Sequence, residues 1–337
     1  MVKCKKFVYA KPFKGAPKLD NFRLEEENLG PLQDGEILCE ALFLSIDPYM
    51  RAFPSHYNLP VGSTLIGGQV ARIVESKSPD FPVGKYVYGH FGWRTWTKFN
   101  TAQFEEGGRQ SYLLPDFEGL PLSLALGALG MPGITAYFGF LELCTPKPGE
   151  TVVITAAAGA VGSLVGQLAK IKGCRTIGLA GSEEKCSWLK NELGFDEVIN
   201  YKTTDIGEAL KKAAPKGVDC YFDNVGGQTS STIISQMNMF GRVAVCGSIA
   251  SYNDDLNELP KASILQPAII FKQLKLEGFL SRRWADRQIE GILAMKAFIK
   301  EGKLKFRETI TTGFENMPEA FIKMLEGKNI GKAIIKV

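Results

Sequence analysis

Short apolar runs alternate with amphipathic stretches through the second half of the chain. The runs are rich in β-branched residues, as expected of strands buried on both faces of a parallel sheet. They lie at Thr151–Thr155, Arg175–Ala180, Asp196–Tyr201, Val218–Gly227, Gly241–Ala250 and Leu274–Leu280. Amphipathic helical stretches between them lie at Ser182–Leu193, Asp205–Ala214 and Thr229–Phe240. Strands that alternate with helices predict right-handed crossovers and a doubly wound α/β sheet.

The first part of the chain has a different pattern, with strand-like runs in which apolar and polar positions alternate. These runs are Gly35–Met50, Gly68–Ser76, Phe81–Gly89 and Trp96–Asn100, and they predict a mostly antiparallel, barrel-like domain. The tail adds a strand, a helix and a last strand at Arg307–Phe314, Pro318–Gly327 and Lys332–Val337. We expect this tail to return to the first domain, so the predicted domains are 1–123 with 301–337, and 124–300. The active cleft is expected between them, at the carboxyl ends of the parallel strands.

A glycine turn follows the first run of the second domain and leads into a helix. Ala157, Gly159 and Gly162 occupy the three positions of a GxGxxG fingerprint, with alanine in the first. The second glycine lets backbone N–H groups approach a pyrophosphate, and the third lets the helix pack close to the strand. The turn therefore predicts a dinucleotide phosphate site. The alternative is a turn that only allows tight packing of a helix on a strand.

The end of the second strand decides between the two nicotinamide cofactors. An acidic residue there would accept hydrogen bonds from the adenosine ribose, but this chain has Ala180 and Gly181. Lys185 follows shortly after, and Tyr201 with Lys202 closes the third strand, which together make a phosphate-binding patch plausible. The sequence thus predicts NADPH rather than NADH. The alternative is that Lys185 is an ordinary solvated helix lysine.

Composition excludes several other classes of protein. The formal net charge of +4 is spread over 337 residues, so we expect no nucleic-acid face. The charge-free stretch Gly119–Leu141 contains Pro121 and Pro132, so we interpret it as buried helices rather than a membrane span. The N-terminus has no long apolar segment behind its lysines, and the seven cysteines are scattered, as in proteins with reduced thiols. We therefore expect a cytoplasmic protein.

The chain lacks the residues of a zinc site. It has two histidines, His56 and His90, and no close pair of cysteines, whereas a catalytic zinc ion needs three protein ligands. Zinc-dependent dehydrogenases of this two-domain order carry a Gly-His-Glu turn where this chain reads Gly67-Gly68-Gln69. Both histidines lie beside turn residues without a neighbouring carboxylate, which favours structural roles. The sequence predicts no metal.

Six blocks spread over both domains resemble the zinc-free medium-chain dehydrogenase/reductase superfamily. They are Ala41–Arg51, Pro121–Gly139, Ala156–Gly162, Cys220–Gly227, Gly313–Phe321 and Asn329–Val337. The resemblance implies a Rossmann domain plus a GroES-like barrel domain, and a homodimer formed through the nucleotide domains. It also implies NADPH-dependent reduction of the C=C bond of α,β-unsaturated ketones and aldehydes, among them alkenals and 15-oxo-prostaglandins. The expected partner is therefore a small enone or enal lipid.

The resemblance also implies a set of cofactor contacts, which fall on strand ends and the loops that follow them. They are Gly159, Ala160, Val161, Gly162, Lys185, Tyr201, Asn224, Cys246, Gly247, Ser248, Ile249, Ala250, Ser251, Tyr252, Phe279, Leu280, Ser281 and Asn329. Several of these positions already lie at strand ends that face the expected cleft.

Enone reduction needs a hydrogen-bond donor where negative charge develops on the carbonyl oxygen. Without a metal, the donors considered are the Tyr252 hydroxyl, a ribose hydroxyl of the cofactor and the Tyr49 hydroxyl. We favour Tyr252, and the alternative is a surface or lid tyrosine. Tyr49, after the Asp47-Pro48 turn, is either a substrate contact or a core tyrosine. Arg51 is a candidate for a substrate carboxylate, and the alternative is a solvated arginine.

Two other functions stay open from the sequence. The chain could be a quinone reductase-like member of the same superfamily, or a non-catalytic NADPH-binding protein. The segment 253–273 could be a cleft cover or a dimer edge, and the sequence does not choose between them.

Overall fold

The structure is a computed structural model, and it describes residues 1–104, 111–254 and 263–337. The chain divides into two compact units. Unit 1 contains residues 1–127 and 308–337, and unit 2 contains residues 128–307. Residues 124–127 and 301–307 thus lie in the opposite unit from the one predicted. The reasons are local: a 3₁₀ turn at Leu122–Leu126 packs on strands of unit 1, and the Gln167 side chain binds the backbone of Lys305 in unit 2.

Fifteen strands are described, and we number them β1–β15 in chain order. Those of unit 1 are β1 Val2–Tyr9, β2 Phe22–Leu29, β3 Glu36–Ser45, β4 Gln69–Ser76, β5 Tyr86–Gly89, β6 Trp96–Asn100, β7 Tyr112–Leu113, β14 Glu308–Thr312 and β15 Lys332–Lys336. Those of unit 2 are β8 Thr151–Ile154, β9 Arg175–Ala180, β10 Glu197–Asn200, β11 Val218–Asp223, β12 Met237–Val245 and β13 Lys275–Gly278.

The α-helices are numbered in the same way. Unit 1 has α1 Tyr49–His56 and α9 Met317–Leu325. Unit 2 has α2 Met131–Leu143, α3 Gly162–Ile171, α4 Glu183–Ser187, α5 Ile206–Ala213, α6 Gly227–Ile234, α7 Gln266–Lys272 and α8 Gln288–Lys300. Among the described residues, none of these helices is long and apolar enough to cross a lipid bilayer.

Unit 2 is built on one parallel sheet of six strands in the order β10-β9-β8-β11-β12-β13. Counted within the unit, this is the order 3-2-1-4-5-6 of a doubly wound nucleotide-binding fold. The strand order reverses between β8 and β11, where Phe222 pairs with Ile154. All four residues of β8 are buried, which explains the uninterrupted apolar run in the sequence. The predicted Rossmann fold is confirmed.

Unit 1 is mostly antiparallel. Its main sheet has seven strands in the order β14-β15-β3-β4-β5-β7 with β6 paired to β3, and β1 and β2 form a second, two-stranded sheet. The tail strand β15 runs antiparallel to β3, with Ile334 opposite Ser45, so the C-terminal segment does return to the first part of the chain. Aromatic residues fill the core, where Trp93 stacks on Phe22 with ring centroids 5.6 Å apart. The predicted mostly β unit is confirmed.

One predicted helix is wrong at its C-terminal end. The stretch Thr229–Phe240 was expected to be helical, but α6 ends at Ile234 and β12 begins at Met237. Met237 is buried and pairs with Val218 in the parallel sheet, so tertiary burial outweighs the local helical pattern. The segment 253–273, predicted as a cover or dimer edge, is described only outside 255–262 and includes α7.

Candidate active site

The glycine turn after β8 has the close contacts that a phosphate loop needs. Ala156 has a φ of +48°, and its carbonyl oxygen lies 2.5 Å from where a Cβ on Gly162 would be. Any side chain at Gly162 would therefore collide with the backbone of the turn. The Ala157 amide donates to the Leu179 carbonyl at 3.0 Å, which ties the turn to β9. Helix α3 begins at Gly162, so the turn at Gly159, Ala160 and Val161 lies at the positive, N-terminal end of the helix. The Ser163 amide donates to the Gly159 carbonyl at 3.1 Å.

The end of β9 is shaped by a close approach of Tyr201 to Gly181. The Tyr201 hydroxyl lies 2.5 Å from where a Cβ on Gly181 would be, so an acidic side chain could not replace this glycine without displacing the tyrosine. Next along the chain, the Ser182 side chain accepts a hydrogen bond from the Lys185 amide and caps the short helix α4. Burial lowers the pKa of Lys185, and the nearby charge of Lys202 lowers it further. The charges of Lys185 and Lys202 are thus near enough to interact beyond β9.

The loops after β11 and β12 are joined to each other and to β8. The Asn224 side chain donates to the Thr155 carbonyl at 2.8 Å, and the Asn224 amide donates to the Thr155 hydroxyl at 2.9 Å. The Asp223 carbonyl accepts hydrogen bonds from the amides of Cys246 and Gly247, at 2.8 and 3.1 Å. The start of the loop 246–252 is therefore held beside Asn224.

Tyr252 lies at the end of this second loop. Its hydroxyl oxygen accepts a hydrogen bond from the Ser248 amide at 3.3 Å, so the phenolic proton is left to bind another acceptor. Burial raises the pKa of Tyr252, which keeps the hydroxyl protonated at neutral pH. The loop is tightened by a hydrogen bond of 2.7 Å between the Ser248 and Ser251 hydroxyls. Burial also raises the pKa of the neighbouring Cys246 thiol to about 12, so this cysteine is not a thiolate nucleophile.

Phe279 and Leu280, after β13, differ in their surroundings. The Phe279 ring packs against helix α2, where it lies 2.3 Å from where a Cβ on Gly139 would be, and it contacts the Trp284 ring edge-on. Leu280 is largely exposed and Ser281 is half-buried. The Phe279 amide donates to the Val245 carbonyl at 3.3 Å, which ties this segment to the end of β12.

In unit 1, a buried ion pair holds the turn that precedes Tyr49. The Lys332 ammonium lies 2.9 Å from an Asp47 carboxylate oxygen and donates to the Ile46 carbonyl at 2.5 Å. The Ser45 hydroxyl donates to the other carboxylate oxygen of Asp47. Tyr49 follows as the first residue of α1 and is half-buried against the aromatic core. The turn expected at Asp47-Pro48 is present, and it leads directly into a helix.

Arg51 is not solvated, contrary to the alternative considered from the sequence. It is 3% exposed, and it donates two hydrogen bonds to the Gly15 carbonyl, at 2.9 and 3.2 Å, and one to the Ser55 hydroxyl. Its guanidinium also lies over the Phe13 ring. Arg51 thus joins α1 to the loop that contains Gly15. Asn329, in the same unit, donates to the Gly331 carbonyl at 2.8 Å.

Among the described residues, no three side chains of His, Cys, Asp or Glu lie close enough to hold a metal ion. At the position of the zinc-type turn, Gln69 is buried and donates to the Gly92 and Arg94 carbonyls. His56 is the last residue of α1, and His90 shares a hydrogen bond of 3.2 Å with the Tyr88 hydroxyl.

Comparison with known proteins gives matches along almost the whole chain. Residues 5–106 match the model described as the N-terminal domain of oxidoreductase, and residues 160–296 match the one described as zinc-binding dehydrogenase. Prostaglandin reductase 1 of Oryctolagus cuniculus is 50% identical over 99% of this chain and 93% of its own length. The chain belongs to the zinc-free medium-chain dehydrogenase/reductase family.

Two further members of this family are similar over nearly their full lengths. NADPH-dependent curcumin reductase of Escherichia coli strain K12 is 40% identical and covers 99% of this chain and 96% of its own. The crystal structure of CurA from Vibrio vulnificus in complex with NADPH is 38% identical, with a TM-score of 0.90, and covers 99% of both chains. The predicted family is therefore confirmed.

Sequence reasoning missed three residues on which these loops depend: Thr155, Asp223 and Lys332. Each is buried and polar, and each joins segments that are far apart in the sequence. A lysine next to an apolar run in a terminal strand is an unusual feature, and this pattern was the available sequence signal for Lys332.

Proposed function

We propose that this protein reduces the C=C bond of α,β-unsaturated ketones and aldehydes with NADPH. The observation that carries the proposal is that the glycine turn, the lysine pair and the Tyr252 loop all lie at the carboxyl ends of strands in one doubly wound sheet. This is where such sheets bind dinucleotides. The reaction class is supported by the full-length similarity to prostaglandin reductase 1 and NADPH-dependent curcumin reductase. Alkenals, enones and 15-oxo-prostaglandins are the proposed substrates.

Unit 2 is the proposed NADP-binding domain, and its residues fit the cofactor. The backbone at Gly162 leaves no room for a side chain, which is the close helix-on-strand packing that the third glycine of a pyrophosphate loop provides. Lys185, Lys202 and Tyr201 would hold the 2′-phosphate, because two clustered cations suit a phosphate and Gly181 carries no competing carboxylate. Unit 1 is the proposed substrate domain.

When bound, NADPH supplies a hydride to the β-carbon of the conjugated substrate. The protein must then stabilise negative charge on the carbonyl oxygen. Tyr252 is the proposed donor, because its oxygen is already engaged by the Ser248 amide and its proton is retained at neutral pH. Tyr49 is proposed as a substrate contact, on the basis of the sequence. The proton donor to the α-carbon is left unassigned.

The test is NADPH oxidation by the purified protein with four acceptors: an alkenal, an alkyl vinyl ketone, a 15-oxo-prostaglandin and a naphthoquinone. The proposal predicts turnover of the unsaturated carbonyl compounds and recovery of the saturated carbonyl as product. Turnover of the quinone alone would favour the quinone reductase alternative. NADPH binding without turnover of any acceptor would favour the non-catalytic alternative.

We also propose that the protein is a cytoplasmic homodimer. Its seven cysteines are all free, which suits a reducing compartment. Among the strands that the structure describes, β13 lies at one edge of the unit 2 sheet. Ile270 and Phe271 on α7 are 67% and 78% exposed, which leaves apolar surface for a second copy. A monomer mass by light scattering would contradict the dimer.

A further inference from the structure

Asp223 is a buried carboxylate at the point where the strand order of unit 2 reverses. It is the last residue of β11 and is 3% exposed. No described lysine, arginine or histidine forms an ion pair with it. Its hydrogen-bond donors are neutral: the hydroxyls of Tyr221, Ser230 and Thr155 at 2.7, 2.6 and 3.4 Å, and the amides of Val225 and Gly226, both at 2.9 Å. A buried carboxylate without a counter-ion is costly unless its oxygens accept hydrogen bonds. The donors must therefore converge on Asp223, which restricts the local backbone to one arrangement.

Hydrogen bonds to Asp223 hold the loops after β11 and β12. These loops carry cofactor contacts that the resemblance implies for the second half of the sheet. Its carboxylate fixes the loop after β11 through the Val225 and Gly226 amides. Its carbonyl oxygen fixes the loop after β12 through the amides of Cys246 and Gly247. Further along, the Ala250 amide donates to the Val225 carbonyl at 3.1 Å. The loop 246–252 is therefore hydrogen-bonded at Cys246 to the backbone of Asp223 and at Ala250 to the backbone of Val225, whose amide Asp223 binds.

We propose that Asp223 is a positioning residue for the nicotinamide half of the cofactor site. In a doubly wound sheet the first three strands serve the adenosine half of a dinucleotide, and the last three serve the other half. Asp223 holds both loops of the second half, and among the described residues its one hydrogen bond with the first half is that of 3.4 Å from the Thr155 hydroxyl. The glycine turn and the lysine pair belong to the first half. The inference rests on the proposed function, since it assumes that NADPH is the ligand.

Two substitutions at Asp223 test whether the hydrogen-bond acceptors of its side chain, rather than the size of the side chain, are what matters. Asp223→Leu keeps the size of the side chain but removes every acceptor, so the Val225 and Gly226 amides lose their partner. Asp223→Asn retains one oxygen for these amides and for the Tyr221 hydroxyl, and its new amide can donate to the Ser230 hydroxyl oxygen. The asparagine variant should therefore restore what the leucine variant loses.

A milder pair of variants on helix α6 covers the case in which Asp223→Leu fails to fold. Ser230→Ala removes the donor to the second carboxylate oxygen and leaves Asp223 in place. Ser231→Ala is the matched control, because Ser231 is equally buried on the same helix but donates to the Gly227 carbonyl instead.

The readout is the dissociation constant of two ligands, NADPH and adenosine 2′,5′-bisphosphate, measured by calorimetry on the full-length protein. We expect Ser230→Ala to raise the dissociation constant for NADPH about tenfold, because one hydrogen bond to a charged group is lost, and Asp223→Leu, which removes every side-chain acceptor, to raise it by at least as much. Binding of the bisphosphate should stay within about twofold of the wild type, and Asp223→Asn and Ser231→Ala should bind both ligands normally.

Unchanged NADPH binding in a folded Asp223→Leu overturns the inference, and so does unchanged binding in Ser230→Ala if Asp223→Leu does not fold. An equal loss of affinity for both ligands also overturns the inference, because that result indicates a general structural role for Asp223. Failure of the proposed function looks different: the wild type itself would not bind NADPH, or it would bind NADPH and turn over no unsaturated carbonyl compound.

Discussion

The ammonium group of Lys332 and the carboxylate of Asp47 form a buried ion pair, 2.9 Å apart, between residues 285 positions apart in the chain. Both side chains are almost fully buried. The pair fastens the last strand of the protein to the turn from which α1 begins, and α1 begins with Tyr49. The C-terminal strand therefore helps to define where the predicted substrate residue lies. Two predictions concern this network, and two concern the cofactor unit.

Removing the lysine should destabilise unit 1 strongly. Lys332→Met leaves Asp47 buried with the Ser45 hydroxyl as its remaining donor, and an uncompensated buried charge costs about 3 kcal/mol or more. Urea unfolding followed by circular dichroism measures the loss. Lys336→Met, an exposed position on the same strand, is the control and should unfold like the wild type. Equal stability of the two variants would show that the ion pair contributes nothing.

Glu308, which lies near Lys332, should make stability depend on pH. Burial raises the pKa of Glu308 above its ordinary value of 4.5, against the opposing effects of the Ser123 hydrogen bond and the Lys332 charge. A raised folded-state pKa stabilises the protein below pH 4.5, and this contribution is lost as the pH rises through the folded-state pKa. Glu308→Gln lacks this titration, so its unfolding free energy relative to wild type should increase between pH 4.5 and pH 8. Parallel urea titrations that give a constant difference would contradict the prediction.

The lysine pair should select the phosphorylated cofactor. Lys185→Ala removes a half-buried cation beside Lys202, so the affinity for NADPH should fall about tenfold while the affinity for NADH stays unchanged. Fluorescence titration with both cofactors measures this, and Lys212→Ala, an exposed position on α5, is the control. If Lys185→Ala and wild type have the same ratio of NADPH to NADH affinity, Lys185 does not bind the 2′-phosphate.

Tyr252→Phe should slow the chemical step much more than it weakens cofactor binding. Loss of one donor to a developing oxyanion costs about 10²-fold in kcat. Because burial raises the pKa of Tyr252, the wild type should lose no activity through ionisation of this phenol below pH 10. Steady-state rates with an enone check the first expectation, and a pH profile checks the second. Tyr137→Phe, on α2, is the matched control. Full activity of Tyr252→Phe would end this assignment.

The sequence predicted the sheet of unit 2 because strands buried on both faces leave a strong signal. The runs at Thr151 and Arg175 became β8 and β9 almost residue for residue. The same reasoning failed at Met237–Phe240, where an amphipathic pattern continued past the end of α6. Local periodicity does not reveal which neighbouring strand will bury a segment, and pairing with β11 decided that case.

Some features of the candidate site could be predicted from the sequence and others could not, for a related reason. Glycine positions can be located from the order of elements, so the sequence predicted a turn between β8 and a helix at Gly162. The loop of Tyr252 was predicted from the family resemblance. The surroundings of single side chains depend on long-range contacts, so the burial of Arg51 against Gly15 and the role of Asp223 were not. Hydrogen bonds between distant segments leave no periodic signal in the sequence.

The most direct test of the central claim follows the hydride itself. Purified protein is given NADPH deuterated at the transferring position of C4 together with an enone, and the product is analysed by NMR and mass spectrometry. The account predicts a saturated ketone with deuterium on the former β-carbon. An allylic alcohol with deuterium on the carbinol carbon would contradict it.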